Sequence, residues 1–287
     1  MKNENCPACS GLLCRDIGSW HACCARCAYE SADLPPAINS PDTHENIDET
    51  ARETGLRELR QHNFRLLLKA LTKLKPNGGR LLEVGCAHGW FLEAAMKHFE
   101  VLGIEPDQTI YNVAMERNLP IQLGYFPDAL ADQERFDVII FNDVFEHIPD
   151  CEEILRACHQ WLYDDGVIVL NLPSSDGIFY RTSKVFRRLG YDSFFNRLWQ
   201  KDMPSPHLHY FNANNLVRLL TVNKFIPIEI GRLPVLSLSG LYTRISYAGN
   251  LSTLSRAIVY ACAALALPAL RILPSDIIYT IAEKRKE

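Results

Sequence analysis

Six of the chain's ten cysteines fall within its first 27 residues, at Cys6, Cys9, Cys14, Cys23, Cys24 and Cys27. Four of them form two Cys-x2-Cys pairs, CPAC and CARC, with fourteen residues between the pairs. Two such knuckles can present four thiolates to one tetrahedral ion, and a site filled wholly by protein is structural rather than catalytic. The expected ligands are Cys6, Cys9, Cys24 and Cys27, with Cys23 as an alternative to Cys24 and Cys14 left over. Zinc would supply the folding energy that a short segment poor in large apolar side chains lacks.

A second group of residues invites different chemistry. In LLEVGCAHGWFL (81–92) an apolar run carrying Glu83 ends in Gly85-Cys86-Ala87-His88-Gly89. Glycines there serve a tight turn, or let the main chain lie against a ligand. Glu105 follows at the tip of EVLGIEPD, about 20 residues beyond the first glycine, where a carboxylate can accept hydrogen bonds from both hydroxyls of a ribose. Asp107 is better placed to cap the next helix. A dinucleotide site would want G-x-G-x-x-G, and this spacing departs from it. After the long apolar run FDVIIFND come Glu146 and His147, and His207 and His209 follow much later. Histidine is the side chain best suited to removing a proton near neutral pH. Tyr125 and Phe126 suit either an aromatic face for a base or ordinary packing.

The elements that must hold these groups alternate. RLLEVG, EVLGIE, IQLG, FDVIIFND and VIVLNLP read as buried strands, separated by the helical patterns WFLEAAMKHF, QTIYNVAMERN and EEILRACHQWL. Strands this apolar between helices mean an α/β fold with a mostly parallel, doubly wound sheet covered on both faces. IPIEIGRL and DIIYTIAEK add a strand pair, for seven strands in all. The expected organisation is a cysteine-rich ribbon over 1–34, a polar linker over 35–55 and a Rossmann-like domain over 56–287. That domain carries insertions at 174–210 and 236–275. The first insertion is aromatic, basic and irregular in pattern, and is where acceptor recognition is expected. The second contains RAIVYACAALALPALR, too short to span a membrane. A buried or interface helix is its default reading, with weak membrane-surface contact through 257–270 as the alternative.

Taken in order, these motifs resemble the class I S-adenosylmethionine-dependent methyltransferases, in their small-molecule branch. The first motif reads Glu83-Val84-Gly85-Cys86-Ala87-His88-Gly89, with Ala87 where the family usually has a glycine. The resemblance continues through FDVIIFNDVFEHIPD, WLYDDGVIVLNLP and HLHYFNANNLVRLLTVNKFIPIEI. It implies that Glu83 helps hold the methionine amino group, that Gly85, Cys86, Ala87 and Gly89 line S-adenosylmethionine, and that Glu105 takes the ribose. Phe126 would flank the adenine, and Asn142 and Asp143 would border the methionine moiety. Methyl transfer from a sulfonium needs mainly positioning and exclusion of water. A hydroxyl or amine acceptor also needs a base, for which His147 leads. Glu146, His207 and His209 complete the candidate set.

Composition narrows the partners. With 47% apolar and 22% charged residues the chain is globular rather than disordered. A net charge of −4 disfavours a nucleic-acid acceptor, because phosphate binding normally uses a basic face. MKNENCPACSG lacks an apolar run, and the clustered cysteines suit a reducing, cytoplasmic setting. The expected function is therefore methylation of a small molecule, or of a glycan- or lipid-linked intermediate. RNA methylation, or a non-enzymatic ribbon protein on a degenerate fold, are the alternatives. The sequence does not indicate an oligomeric state.

Overall fold

A computed structural model describes residues 5–35, 49–238, 240–247 and 252–286. The chain opens with three short antiparallel strands, β1 (Leu13–Gly18), β2 (His21–Cys24) and β3 (Glu30–Ala32). Helix α1 (Glu49–Leu74) follows, starting inside the expected linker; 36–48 lie outside the described residues.

Strand and helix then alternate as the apolar pattern demands. The order is β4 (Arg80–Val84), α2 (Trp90–Ala95), β5 (Glu100–Glu105), α3 (Gln108–Met115), β6 (Ile121–Leu123), β7 (Phe136–Asn142), α4 (Cys151–Trp161) and β8 (Leu162–Pro173). Asp107 accepts from the Thr109 and Ile110 N–H groups and caps α3, as its position suggested. Beyond β8 come α5 (Ile178–Arg188), α6 (Ser193–Leu198), β9 (His209–Tyr210), α7 (Ala213–Val222), β10 (Phe225–Arg232), α8 (Leu241–Tyr247), α9 (Thr253–Leu270) and β11 (Ile277–Lys284).

The large sheet runs β10-β11-β8-β7-β4-β5-β6. Pairings from β8 through β6 are parallel, and β11 and β10 join antiparallel at one edge. The chain winds outward from β4 through β5 to β6, then returns on the other side of β4 as β7 and β8. The winding thus reverses between β4 and β7, and the carboxyl ends of those strands flank a natural crevice.

Alternation explains why β7 is apolar from Val138 to Phe141. Phe136, Ile139 and Phe141 feed one core cluster, and Val138 and Ile140 feed the other with Leu67 and Leu71 of α1. Each such fully buried side chain contributes about 1.5–3 kcal/mol of transfer free energy, so both faces anchor the strand.

Two expectations change. The 174–210 segment is not irregular throughout but carries two helices, α5 and α6: α5 buries Tyr180 and Ser183, one turn apart, and ends in Arg187 and Arg188, where cations suit the helix terminus. The apolar stretch in 236–275 is not a buried helix, because among the described residues of α9 only Leu267 is buried.

The amino-terminal strands are also not a free appendage. β3 pairs with β9 and extends the small sheet to β1-β2-β3-β9. Tyr180, Phe195, Trp199 and Tyr210 form a third apolar cluster, with Trp20 and Ile17 packed against it.

Candidate active site

The crevice at the carboxyl ends of β4, β5 and β7 opens into a cavity of about 540 Å³. Glu83, Gly85, Cys86, Ala87, Glu105, Phe126, Asn142 and Asp143 all line it. Gly89 does not. Its φ is +71°, and a Cβ there would run into Leu119, so this glycine serves the turn and its packing. Gly85, at φ +69°, would place a Cβ 2.7 Å from Val144. The pair is therefore required first by the chain's own turn, with ligand approach at Gly85 alone. The following helix, α2, has only six residues and ends short of the expected WFLEAAMKHF span.

Two buried carboxyls face this space. Glu83 accepts from Asn142 Nδ2 at 2.8 Å, while its Oε2 is buried without a hydrogen-bond partner. Burial pushes its pKa up to about 8, against the lowering effect of the Asn142 bond. An unpaired buried carboxyl oxygen is costly, and a cationic ligand group would relieve it. Glu105 accepts from the Ala87 N–H at 2.8 Å and from the Asp107 N–H at 2.9 Å. Burial again raises its pKa, to about 7, with those amides working against the rise. Ala87 holds φ +45°, a left-handed conformation that turns its N–H toward Glu105. Both carboxylate oxygens keep further lone pairs for hydroxyl donors.

His147 sits just past β7 on a single 3-10 turn, Phe145–His147, and lines the cavity. Its Nδ1–H donates to the Pro206 carbonyl at 2.9 Å, so Nε2 carries the lone pair. Glu146 is buried beside it, with Oε1 4.0 Å from His147 Nε2 and 3.9 Å from His207 Nε2. Burial, and then the Asp143 charge, push the Glu146 carboxyl well above its usual range. His207 stands one layer behind the wall, its ring 4.8 Å from that of His147, and it receives Gln200 Nε2 at 2.8 Å. His209 lies away from the cavity. Its Nε2–H donates to the Ile148 carbonyl at 2.8 Å and its Nδ1 accepts the Tyr29 hydroxyl. Burial holds its pKa down at about 4, so it is a neutral packing residue.

Several lining residues escaped the sequence. Arg60 and Phe64 reach in from α1, and Arg60 Nη2 lies 3.7 Å from Asp143. Gln200, Met203, Pro204 and Ser205 cover the side near His147. Of the 174–210 segment only this end reaches the cavity. Tyr180, Phe195 and Trp199 instead pack toward the ribbon, and Phe179 and Phe194 are also absent from the cavity wall. Tyr125 is a rim residue, 55% exposed, whereas Phe126 is buried.

At the amino terminus the thiols of Cys6, Cys9, Cys24 and Cys27 converge, all within 4.8 Å of one another. Cys6 and Cys27 are 3.5 Å apart, as are Cys9 and Cys24. The edge of a tetrahedron with 2.3 Å zinc–sulfur bonds is about 3.8 Å, so the four fit one ion. Both knuckles share one turn. Cys6 N–H donates to Gly11 O and Ser10 N–H to Cys6 O; Cys24 N–H donates to Tyr29 O and Ala28 N–H to Cys24 O. Ser10 and Ala28 hold the matching left-handed φ values, 57° and 54°. Burial pushes the Cys6 thiol well up, a cost that a bound dication would offset.

This sheet order, with a carboxyl at the tips of β4 and β5 and a cavity between them, defines the class I methyltransferase fold. Comparison with known proteins agrees. A family model described as "Methyltransferase domain" matches residues 56–225, and the chain belongs to that family. A ubiquinone biosynthesis O-methyltransferase of Pseudomonas putida is 32% identical over 99 residues, 32% of this chain and 43% of that protein. The alignment thus spans under half the length of that relative. Among solved structures, a Haloferax volcanii methyltransferase in complex with the Trm112 activator superposes with TM-score 0.57 at 13% identity, covering 85% of this chain and 98% of that one. A Burkholderia thailandensis 1,6-didemethyltoxoflavin-N1-methyltransferase superposes with TM-score 0.50 at 14% identity, covering 95% and 99%. At such identities these two likenesses speak for the fold.

Proposed function

We propose that the protein is an S-adenosylmethionine-dependent methyltransferase acting on a small molecule or on a glycan- or lipid-linked intermediate. The observation that carries this reading is the pair of buried carboxyls, Glu83 and Glu105, on adjacent strand tips at one cavity. The buried, unpartnered Glu83 Oε2 fits an ammonium group, and Glu105 fits a vicinal diol. When bound, the cofactor supplies an electrophilic methyl group on a sulfonium.

The chain's own residues supply the rest. Glu83, steadied by Asn142, and Glu105, steadied by two main-chain amides, orient the ligand. Phe126 and the 203–205 segment exclude water from the cavity. His147 Nε2, fixed as the basic nitrogen by the Pro206 carbonyl, accepts the proton of an acceptor hydroxyl or amine. Relatives named for ubiquinone biosynthesis O-methylation support an oxygen acceptor on a small molecule. The apolar wall formed by Phe64, Trp90 and Met203 supports a hydrophobic one. Zinc in the Cys6, Cys9, Cys24 and Cys27 site belongs to the same proposal, as does a reducing, cytoplasmic setting for ten free thiols.

Calorimetry with S-adenosylhomocysteine tests the reading. Wild-type protein should bind, and Glu105→Ala should bind about tenfold or more weakly while its melting curve persists. Absence of binding to the wild type would sink the proposal. His147→Ala should lower kcat by about 10²–10⁴-fold with that affinity intact, measured on whatever acceptor a labelled-methyl screen of cell extracts identifies.

A further inference from the structure

The 233–275 stretch departs in charge and in packing from the rest of the molecule. It contains three arginines, Arg244, Arg256 and Arg271, and no lysine, aspartate or glutamate. The remaining residues therefore sum to −7, the chain total of −4 less these three positive charges. Within this stretch α9 exposes apolar side chains along its outer face. Leu254 is 72% exposed, Ile258 56% and Leu265 81%, and Ile272 just beyond the helix is 86% exposed. Tyr242 of α8 is also half exposed, with its ring 6.1 Å from that of Tyr260.

The inner face of α9 is apolar as well, with Ala263, Ala264, Leu267 and Leu270. A helix that is apolar all round is one that is buried in something, yet of the window Thr253–Leu270 only 6% is buried within the protein. Fourteen residues, 257–270, separate Arg256 from Arg271. At 1.5 Å per residue they reach about 21 Å, short of the roughly 30 Å hydrocarbon layer. A helix of this kind lies along a bilayer surface, with its arginines among the lipid phosphates and its tyrosines at headgroup depth.

We infer that α9, with α8 beside it, seats the protein on an anionic phospholipid bilayer as a surface-embedded helix. Charge decides for this occupant over a second copy. Arginine phosphate contacts are complementary, whereas two copies of this face would set arginines against arginines with no acid from either stretch to meet them. The seat lies near the cavity. α8 packs on α1, and α1 contributes Arg60 and Phe64 to the cavity wall. The inference is independent of the acceptor, because it concerns attachment and not turnover.

Vesicle flotation of the full-length protein tests it, using phosphatidylcholine vesicles with and without phosphatidylglycerol. The wild type should float with the anionic vesicles, and added salt should weaken it. Leu265→Asp should reduce binding by about tenfold or more, and Arg271→Gln by about fivefold on anionic vesicles alone. Both positions are exposed, so unchanged melting curves verify folding. Three results overturn the inference. One is absence of flotation with any vesicle. Another is flotation that neither variant changes, which would place the contact elsewhere. The third is a sedimenting dimer that Leu265→Asp converts to monomer without vesicle binding, which would make this face a self-contact.

Discussion

The methyltransferase sheet carries two additions, one at the amino terminus and one inserted between β10 and β11 near the carboxyl end, and they meet opposite fates. The amino-terminal ribbon is drawn into the molecule, with His21, Ala22, Cys24 and Tyr29 at most 1% exposed. The carboxyl-terminal stretch is the richer in aliphatic side chains, yet α9 remains on the outside. Apolar content alone therefore does not decide docking. The ribbon has directional partners: β3 pairs with β9, and the Glu30 carboxylate accepts from His21, Tyr180 and Lys184 at 2.8–3.0 Å. Burial raises the Glu30 pKa, but His21 and Lys184 outweigh it and hold the carboxyl below its usual range. α9 is a helix whose backbone bonds are satisfied internally, and its side chains offer no comparable polar lock.

The sharpest way to break this contrast is to remove the ion from the ribbon. Native mass spectrometry should show one zinc, and a strong chelator or Cys24→Ser should unfold residues 5–35. Structural zinc sites contribute on the order of 10 kcal/mol, more than a segment of this size otherwise has. Trp20 packs 5.7 Å from Trp199, so its fluorescence should shift to the red as the third cluster opens. A metal-free protein with unaltered fluorescence would contradict the zinc assignment. The opposite face of the methyltransferase sheet, whose core cluster with α1 and α2 includes no ribbon residue, should survive.

Next in size is Glu30→Gln. It leaves Lys184 and His21 facing a neutral amide, and breaking a buried charged network costs about 3 kcal/mol. Because the folded-state pKa is lowered, the Glu30 contribution is present above its unfolded value near 4.5 and is lost as pH falls through the folded one. The wild type and Glu30→Gln should therefore converge in acid and diverge at neutral pH. A constant difference in melting temperature across pH would remove Glu30 from the lock.

How much of this was legible beforehand follows from the range of the interactions. The strands, their mostly parallel order and the carboxyls Glu83 and Glu105 could be read from local period and from position relative to a strand end. Arg60, Gln200 and the ribbon's anchorage could not. Tyr180 reaches Glu30 across 150 residues, and no local pattern encodes such a pairing. His209 shows the same limit: its type suggested proton transfer, but only the Tyr29 and Ile148 contacts reveal both ring nitrogens to be committed. For α5 a signal was present in the one-turn spacing of Tyr180 and Ser183 and the terminal arginine pair, but the aromatic content obscured it.

The site carboxyl runs opposite to Glu30. Glu83 has its pKa raised by burial to about 8, so its contribution is full below the unfolded value and is lost as pH rises through about 8. Glu83→Gln imitates the neutral form at every pH. It should stabilise the cofactor-free protein at pH 8 and hardly at all near pH 4, while weakening S-adenosylhomocysteine binding. Equal melting temperatures at pH 8 would show that Glu83 is already ionised and satisfied there.

The smallest effect on folding belongs to the other addition. Leu265 is 81% exposed, so Leu265→Asp should change stability by no more than about 0.5 kcal/mol. In the ribbon, Tyr29→Ala removes a side chain only 1% exposed and should cost about 3–5 kcal/mol. The two regions should reverse order in vesicle flotation, where Leu265→Asp fails and a ribbon variant that stays folded, such as Cys14→Ser at an exposed position, does not. That crossing is what separates a segment packed to hold the protein together from one left apolar for a surface outside it. If Leu265→Asp instead lowered the melting temperature as far as Tyr29→Ala, α9 would be part of the folded core and the contrast would fail.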